Sequence, residues 1–308
     1  MANYLLTGVA GFIGGALAAR LLREGHRVIG VDNLSTGFRE AVPEGVEFFE
    51  GGCESAATWE RIPPLNYAAI YHIAGQSSEE VSFEDPLYDL QTNAQSTLHL
   101  LQLACRLNVP QLIYASTMSV YGDQPDRPIL EGAPTEPKSF YGVGKLASEH
   151  YLRIYAEQFG IKTVALRLFN VYGPGQNLAN LKQGMVSIYL AQALQNRHIV
   201  IKGAAERFRD FVYIEDVVQA FLAAEEMTQS GYGCFNIATG VRTTVADLVA
   251  AIQKALPFES TTEFVSGTPG DQFGITGESS AFTQASGWRV ATPLDVGLKR
   301  MIAWALSA

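Results

Sequence analysis

Between a short apolar run, Asn3 to Thr7, and a helical pattern that reaches Arg20, the chain reads Thr7-Gly8-Val9-Ala10-Gly11-Phe12-Ile13-Gly14. Glycines at these places permit a sharp strand-to-helix turn and let backbone N–H groups approach an anion, which then sits at the positive end of the helix. Eighteen residues beyond Gly14, at the close of the next apolar run, Arg27 to Asp32, stands the carboxylate of Asp32. An acid there accepts hydrogen bonds from both hydroxyls of an adenosine ribose and repels a 2′-phosphate. The segment therefore predicts a dinucleotide-binding βαβ unit that prefers NAD to NADP. A glycine turn that merely packs a helix on a strand would need no acid at this distance.

The rest of the first 170 residues continues the same alternation. Further apolar runs at Val46 to Glu50, Ala68 to Ala74, Gln111 to Ser116 and Thr163 to Phe169 read as buried parallel strands, with amphipathic stretches between them. Leu90, Ala94, Leu98, Leu101 and Cys105 recur at steps of three and four, which puts them on one face of a helix that stops before Pro110. After Asn170 the texture changes to the loop Gly173-Pro174-Gly175, a helix around Met185 to Leu194, a charged stretch from Glu206 to Asp210, and a helix through Val245, Leu248, Val249, Ile252 and Leu256 with Thr244 as its N-cap. The expected fold class is α/β: a Rossmann-type doubly wound parallel sheet in residues 1–169, completed by 210–239, with residues 170–308 forming mainly a smaller substrate-binding lobe.

Charge narrows the partners. With 22 basic and 31 acidic side chains the chain carries a net charge of −9, which repels phosphate backbones and anionic lipid, so neither nucleic acid nor a membrane is an expected partner. The 47% apolar content excludes disorder. Leu5 to Leu22 is almost uncharged, but its glycines and the lack of a basic start fit strand, turn and helix better than a membrane span. Cys53, Cys105 and Cys234 form no close pair and no metal spacing, and His26, His72, His99, His150 and His198 match no ligand pattern, so a metal site is not expected and the cytoplasm is the expected compartment.

Tyr141 and Lys145 lie four apart, on one face of a helix running to about Phe159. A tyrosine is a poor base at neutral pH, but a neighbouring ammonium and an oxidised nicotinamide both favour its phenolate, which could take a proton from a sugar hydroxyl. The strand from Gln111 ends in Ser116-Thr117-Met118-Ser119-Val120-Tyr121-Gly122, at the carboxyl edge where open parallel sheets bind ligands.

Taken with these, Asp32-Asn33-Leu34-Ser35-Thr36-Gly37, Leu168-Phe169-Asn170-Val171-Tyr172-Gly173-Pro174-Gly175 and Arg209-Asp210-Phe211-Val212-Tyr213-Ile214-Glu215-Asp216-Val217 follow in an order and spacing that resembles the extended short-chain dehydrogenase/reductase family, specifically its nucleotide-sugar epimerases and dehydratases. The resemblance covers nearly the whole chain. It implies that Thr117 hydrogen-bonds the sugar O4, that Tyr141 is the acid/base, and that Lys145 orients the nicotinamide ribose and lowers the tyrosine pKa. NAD contacts are implied at Gly8, Gly11, Phe12, Ile13, Gly14, Asp32, Asn33, Ser35, Thr36, Gly37, Ala74, Gln76, Asn93, Ser116 and Phe169 as well as Tyr141 and Lys145. On the substrate side it implies Met118, Ser119, Asn170, Asp271 and Arg209, the last gripping a diphosphate through its bidentate fork. It also implies a homodimer built from the helix containing Leu101 and the helix following Tyr141.

Family members begin alike, through a 4-keto sugar, and then diverge. Dehydratases often carry an Asp-Glu pair directly after the Ser-Thr; here those places hold Met118 and Ser119, which favours C4 epimerisation of a nucleotide-diphospho-sugar, with a UDP-hexose or UDP-N-acetylhexosamine the expected substrate. Three departures stand out. Gly52 replaces an aspartate that reads the adenine amine, Thr268 replaces the arginine of an Arg-Pro-Gly-Asp segment, and Phe273 and Gly274 stand where basic residues are common. Glu79 and Glu80, read as loop residues, are unexpected carboxylates that could support an atypical elimination across C5 and C6. A third expectation, an idle NAD-binding scaffold, would have no use for the Tyr141 and Lys145 spacing.

Overall fold

Strand formation follows from uninterrupted apolar runs, and the turns between them from glycine, proline and capping residues. The computed structural model describes residues 1–267 and 273–307. In chain order the first part comprises β1 (Asn3–Thr7), α1 (Phe12–Arg23), β2 (Arg27–Asp32), β3 (Glu47–Glu50), α2 (Ala56–Glu60), β4 (Tyr67–His72), α3 (Glu79–Glu84), α4 (Pro86–Leu90), α5 (Ser96–Arg106), β5 (Gln111–Thr117), α6 (Phe140–Phe159) and β6 (Lys162–Leu168). The second part comprises β7 (Asn170–Tyr172), α7 (Met185–Asn196), β8 (His198–Lys202), β9 (Phe208–Arg209), β10 (Phe211–Tyr213), α8 (Ile214–Glu226), β11 (Tyr232–Ile237), β12 (Thr243–Thr244), α9 (Val245–Ala255), β13 (Thr261–Val265), α10 (Ser280–Ser286) and α11 (Leu294–Ser307).

Seven strands form one parallel sheet in the order β3-β2-β1-β4-β5-β6-β11. The expected α/β doubly wound sheet is thus present. Leu5 and Leu6 are both fully buried yet belong to different cores, because successive strand side chains point to opposite faces. On Leu6's face pack Leu17 of α1 and Phe221 of α8; on Leu5's face pack Trp59 of α2, Leu101 of α5 and Leu152 of α6. Strand order reverses between β1 and β4, which opens a crevice at their carboxyl ends. The remaining strands make three small pairs, β7 with β10, β8 with β13 and β9 with β12.

Local signals decided most boundaries. Helix α6 starts at Ser139, whose Oγ accepts from Gly142 N, and stops at Gly160 with φ +73°. Helix α9 starts with a reciprocal capping box between Thr244 and Asp247. Two segments differ from expectation. Glu79 and Glu80 lie in the first turn of α3, capped by Ser78, rather than in a loop. Residues Gln91–Gln95 form a π-helical turn, whose wider winding moves the phase of the helix: Leu90 turns to solvent while Ala94 and Leu101 stay buried, so the single face expected of Leu90 to Cys105 is split.

Beneath the sheet edge a buried ion pair ties three strands to α6. Glu149 accepts from Arg167 Nε and Nη2 at 2.9 and 2.7 Å and from Ser116 Oγ at 2.5 Å. Arg167 Nη1 donates to Tyr121 Oη, and that hydroxyl donates to Asn236 Oδ1 of β11. Glu149→Gln leaves the guanidinium buried without its counter-charge, so a loss of about 3 kcal/mol is expected from urea unfolding. A loss under about 1 kcal/mol, the scale of exposed pairs, would show that the pair does not hold this corner together.

Candidate active site

The glycine turn lies against the end of β4. An ideal Cβ on Gly8 (φ +78°) would come within 2.9 Å of Ala74 N, and one on Gly14 would collide with the Gly8 carbonyl. Thr7 Oγ1 accepts from Ile73 N and Ala74 N at 3.1 and 3.0 Å, closing the crevice floor. Gly11, the N-cap of α1, offers no capping side chain, and the first turn of α1 holds no acid, so the helix presents its first N–H groups to the crevice. Asp32 Oδ2 accepts from Ala10 N and Oδ1 from Leu34 N, which holds the carboxylate at the rim with lone pairs to spare for hydroxyl donors. These features make a cradle that fits a dinucleotide.

A cavity of about 610 Å³ follows from this turn to Lys145. Its lining brings together Gly8, Gly11, Phe12, Ile13, Gly14, Asp32, Asn33, Ser35, Thr36, Gly37, Ala74, Gln76, Ser116, Thr117, Tyr141, Lys145 and Phe169. Asn93 is not part of that lining. It sits one layer behind this wall, fully buried in the π-helical turn, its Nδ2 donating to Gln76 O and Asp89 Oδ1 and its Oδ1 turned toward Gly75. At the far end, where Gly52 leaves no side chain, the Glu54 carboxylate fills the space a Cβ would take and lines the cavity. Trp304 of α11 also reaches this cavity, a placement only the tertiary fold could produce.

A second cavity, of about 730 Å³, adjoins the first, and Thr117, Tyr141, Phe169 and Asn170 line both. Met118, Ser119 and Arg209 face this second cavity, while Asp271 and the Thr268 to Asp271 segment lie outside the described residues. Arg209 is 5% exposed and donates to Phe208 O at 2.8 Å; burial, then the charge of Arg207, pushes it down to about 10, so it stays charged at neutral pH. Asp210 does not form a surface pair with it. Its carboxylate is buried and accepts from Thr239 N and Oγ1, Gly240 N and Gly277 N. Arg207, two residues before Arg209, lines the same cavity.

At the shared wall the chemistry is set by burial. Tyr141 is 8% exposed, and desolvation pushes its phenol well above the ordinary tyrosine value, with the Thr117 hydroxyl pulling it back and the charges of Glu79 and Asp89 adding to the rise. Lys145 Nζ donates to Ala115 O at 2.9 Å and lies 4.7 Å from the Tyr114 ring centre and 5.9 Å from that of Tyr141. Burial pushes it down to about 8, against the charges of Asp89 and Glu149. In the chain alone desolvation decides the state of the phenol. Cys53 is buried with its thiol pushed up by desolvation, and His72 is held between the Thr7 and Thr97 hydroxyls and kept neutral by burial; both are inert.

Comparison with known proteins places this arrangement among relatives. The family model described as the NAD dependent epimerase/dehydratase family matches residues 4–238. The UDP-glucose 4-epimerase of Mycolicibacterium smegmatis is 32% identical over 304 residues, covering 97% of this chain and 96% of that protein. Among solved structures, the UDP-glucose 4-epimerase of Thermotoga maritima with UDP-glucose superposes with a TM-score of 0.95 at 33% identity, covering 99% of each chain. The UDP-glucose 4-epimerase of Thermus thermophilus in complex with NAD gives 0.93 at 32% identity, again over 99% of each.

The buried ammonium makes a stability test. Lys145 titrates near 10.5 when unfolded and about 8 when folded, so between those values the unfolded chain holds more protons and folding stability rises with pH. Lys145→Met removes the group and its slope. The variant is expected to be the more stable by on the order of 2 kcal/mol at pH 7, with the gap closing toward pH 10 in parallel thermal melts. A gap independent of pH would refute the assignment.

Proposed function

The chain belongs to the NAD-dependent epimerase/dehydratase family, and from that premise we propose that it is an NAD-dependent enzyme that inverts carbon 4 of a UDP-hexose or UDP-N-acetylhexosamine through a 4-keto sugar. The observation that carries the reading is the shared wall: Thr117 and Tyr141 belong to both cavities, so a group bound in each would meet at the phenol. When bound, NAD supplies a nicotinamide that accepts hydride from a sugar carbon and gives it back, and a positive ring charge that the chain itself lacks at Tyr141. The residues that would hold it are the glycine turn, Asp32 for the adenosine ribose, and Lys145 for the nicotinamide ribose. Tyr141 Oη takes the hydroxyl proton of the sugar and later returns it, while Thr117 Oγ1 holds the same oxygen. Asn170 and Arg209 hold the nucleotide end. We assign residues 1–169, with 210–239, to the dinucleotide and the remaining chain mainly to the sugar nucleotide.

Met118 and Ser119 support inversion over dehydration, since neither supplies a carboxyl group beside Thr117. One observation favours a second reading: Glu79 hydrogen-bonds Ser119 and would be the base of an atypical elimination across C5 and C6. Turnover in deuterated water separates the two. Inversion is expected to leave every ring carbon unlabelled by NMR, whereas deuterium at C5 would establish elimination. Tyr141→Phe is expected to lower kcat by 10²–10⁴-fold, the usual worth of a positioned acid/base, with NAD binding retained. Unaltered turnover would remove Tyr141 from the reaction.

Exposed apolar residues on neighbouring helices, Leu87 and Leu90 beside α5 and Phe140, Val143 and Ile154 on α6, support a homodimer through these helices. Three free cysteines suit the cytoplasm, and no described helix is long and apolar enough to cross a membrane. In place of a side chain at Gly52, Glu54 offers the adenine amine its acceptor. Wild type is expected to bind NAD about tenfold more tightly than nicotinamide hypoxanthine dinucleotide, which lacks that amine, and Glu54→Ala to lose the preference in calorimetric titration. An undiminished preference in the variant would assign the amine to another group.

A further inference from the structure

Two consecutive acids at the start of α3 have separate surroundings. Glu80 is exposed and lies 4.0 Å from the ammonium groups of Lys182 and Lys202 at the cavity rim. Glu79 is half-buried, and its Oε1 accepts a 2.9 Å hydrogen bond from Ser119 Oγ. Ser119 is itself buried, and its backbone N donates to Thr117 Oγ1 at 3.2 Å. The carboxylate of Glu79 thus lies two hydrogen bonds from the hydroxyl at the shared wall, in the lining of the second cavity with Met118, Tyr141 and Arg209. Among the described residues it forms no ion pair, and its charge acts on the groups around it, raising both Tyr141 and Arg209.

A carboxylate accepts hydrogen bonds and donates none, and in a partly desolvated cavity it repels a second carboxylate far more strongly than water would allow. We propose that Glu79 sets the sugar class: it admits sugars that present a hydroxyl or amide N–H donor to this wall and rejects uronic acids, whose ring carries its own carboxylate. The inference rests on the reading of the second cavity as the sugar-nucleotide site. It gives the cavity charges of both signs: the Arg209 guanidinium selects the anionic diphosphate and Glu79 excludes negative charge from the hexose.

Calorimetric titration of the full NAD-loaded chain with UDP, UDP-glucose and UDP-glucuronate tests this. Wild type is expected to bind UDP-glucose about 30-fold more tightly than UDP-glucuronate. Glu79→Gln keeps the size of the side chain and an amide oxygen for Ser119, and is expected to bring the two within about threefold by tightening UDP-glucuronate, with UDP affinity unchanged. Glu79→Asp, which keeps the charge, is expected to keep most of the preference. Equal discrimination by wild type and Glu79→Gln, with UDP bound normally by both, overturns the proposal and leaves the site reading standing. Failure of UDP to bind wild type at all overturns the site reading and this proposal with it.

Discussion

The hydroxyl of Thr7 closes the one seam that the rest of the architecture needs kept tight. At the reversal of strand order, β1 and β4 part company, and nothing in a parallel ladder joins the residues beyond their ends. Thr7 Oγ1 spans that gap by accepting from both Ile73 N and Ala74 N, with His72 Nδ1 2.9 Å away on its other side. Buried amides that would otherwise lack partners are satisfied there. With the floor fixed, Gly8 can lie against Ala74, and the N-terminus of α1 aims its open N–H groups across the crevice. A bulkier turn would hold α1 away from the sheet and lose the alignment of its dipole with the cavity.

The opposite end of the same crevice is governed by desolvation. Lys145 is nearly inaccessible, and its charge is sustained by the carbonyl of Ala115 and by two buried carboxylates, Asp89 and Glu149, that do not touch it. Each of those acids is itself anchored, Asp89 by Gln76 and Asn93, Glu149 by Arg167 and Ser116. Asn93 therefore acts on the cavity through Asp89 and Gln76 rather than by contact. The consequence for Tyr141 is that no charge of the chain wins against burial, so the neutral phenol is the resting form. A phenol held in that state is poised to donate, and accepting a proton depends on positive charge brought in with a ligand.

Much of this was legible before any coordinates. The edges of β1 and β2 coincide with the apolar runs, and β4, β5 and β6 fall within two residues of them, because buried parallel strands leave little room for polar residues inside their bounds. The Tyr141 and Lys145 pair was readable from helical spacing, and Thr244 from its capping chemistry. What was hidden depended on contacts far apart in sequence or on small changes in winding. The π-helical turn at Gln91–Gln95 has no signature in the apolar period that it interrupts, and Glu54 reaches the place of the absent side chain at Gly52 only because the turn after β3 folds back on itself. Trp304 comes to the cavity from the last helix. Ser78 was the missed local signal: a serine directly before two acids is an N-cap pattern, and reading it would have moved Glu79 from loop to helix.

A sugar that must be attacked from both faces cannot be gripped firmly by its ring. If inversion proceeds by turning the keto sugar over, the binding energy has to be concentrated on the part that stays still, and the wall that meets the ring must offer few directional contacts. The lining of the second cavity holds both kinds of group. It combines the charged Arg209 with the flexible thioether of Met118 and the small hydroxyl of Ser119, the two residues that follow Thr117. Beside Ser119, and held by its hydroxyl, stands the Glu79 carboxylate, and an acceptor without donors is indifferent to which hydroxyl it meets. Charge at that place can exclude a class of sugar without holding any one orientation of the sugars it admits, which is what a site that turns its substrate over requires.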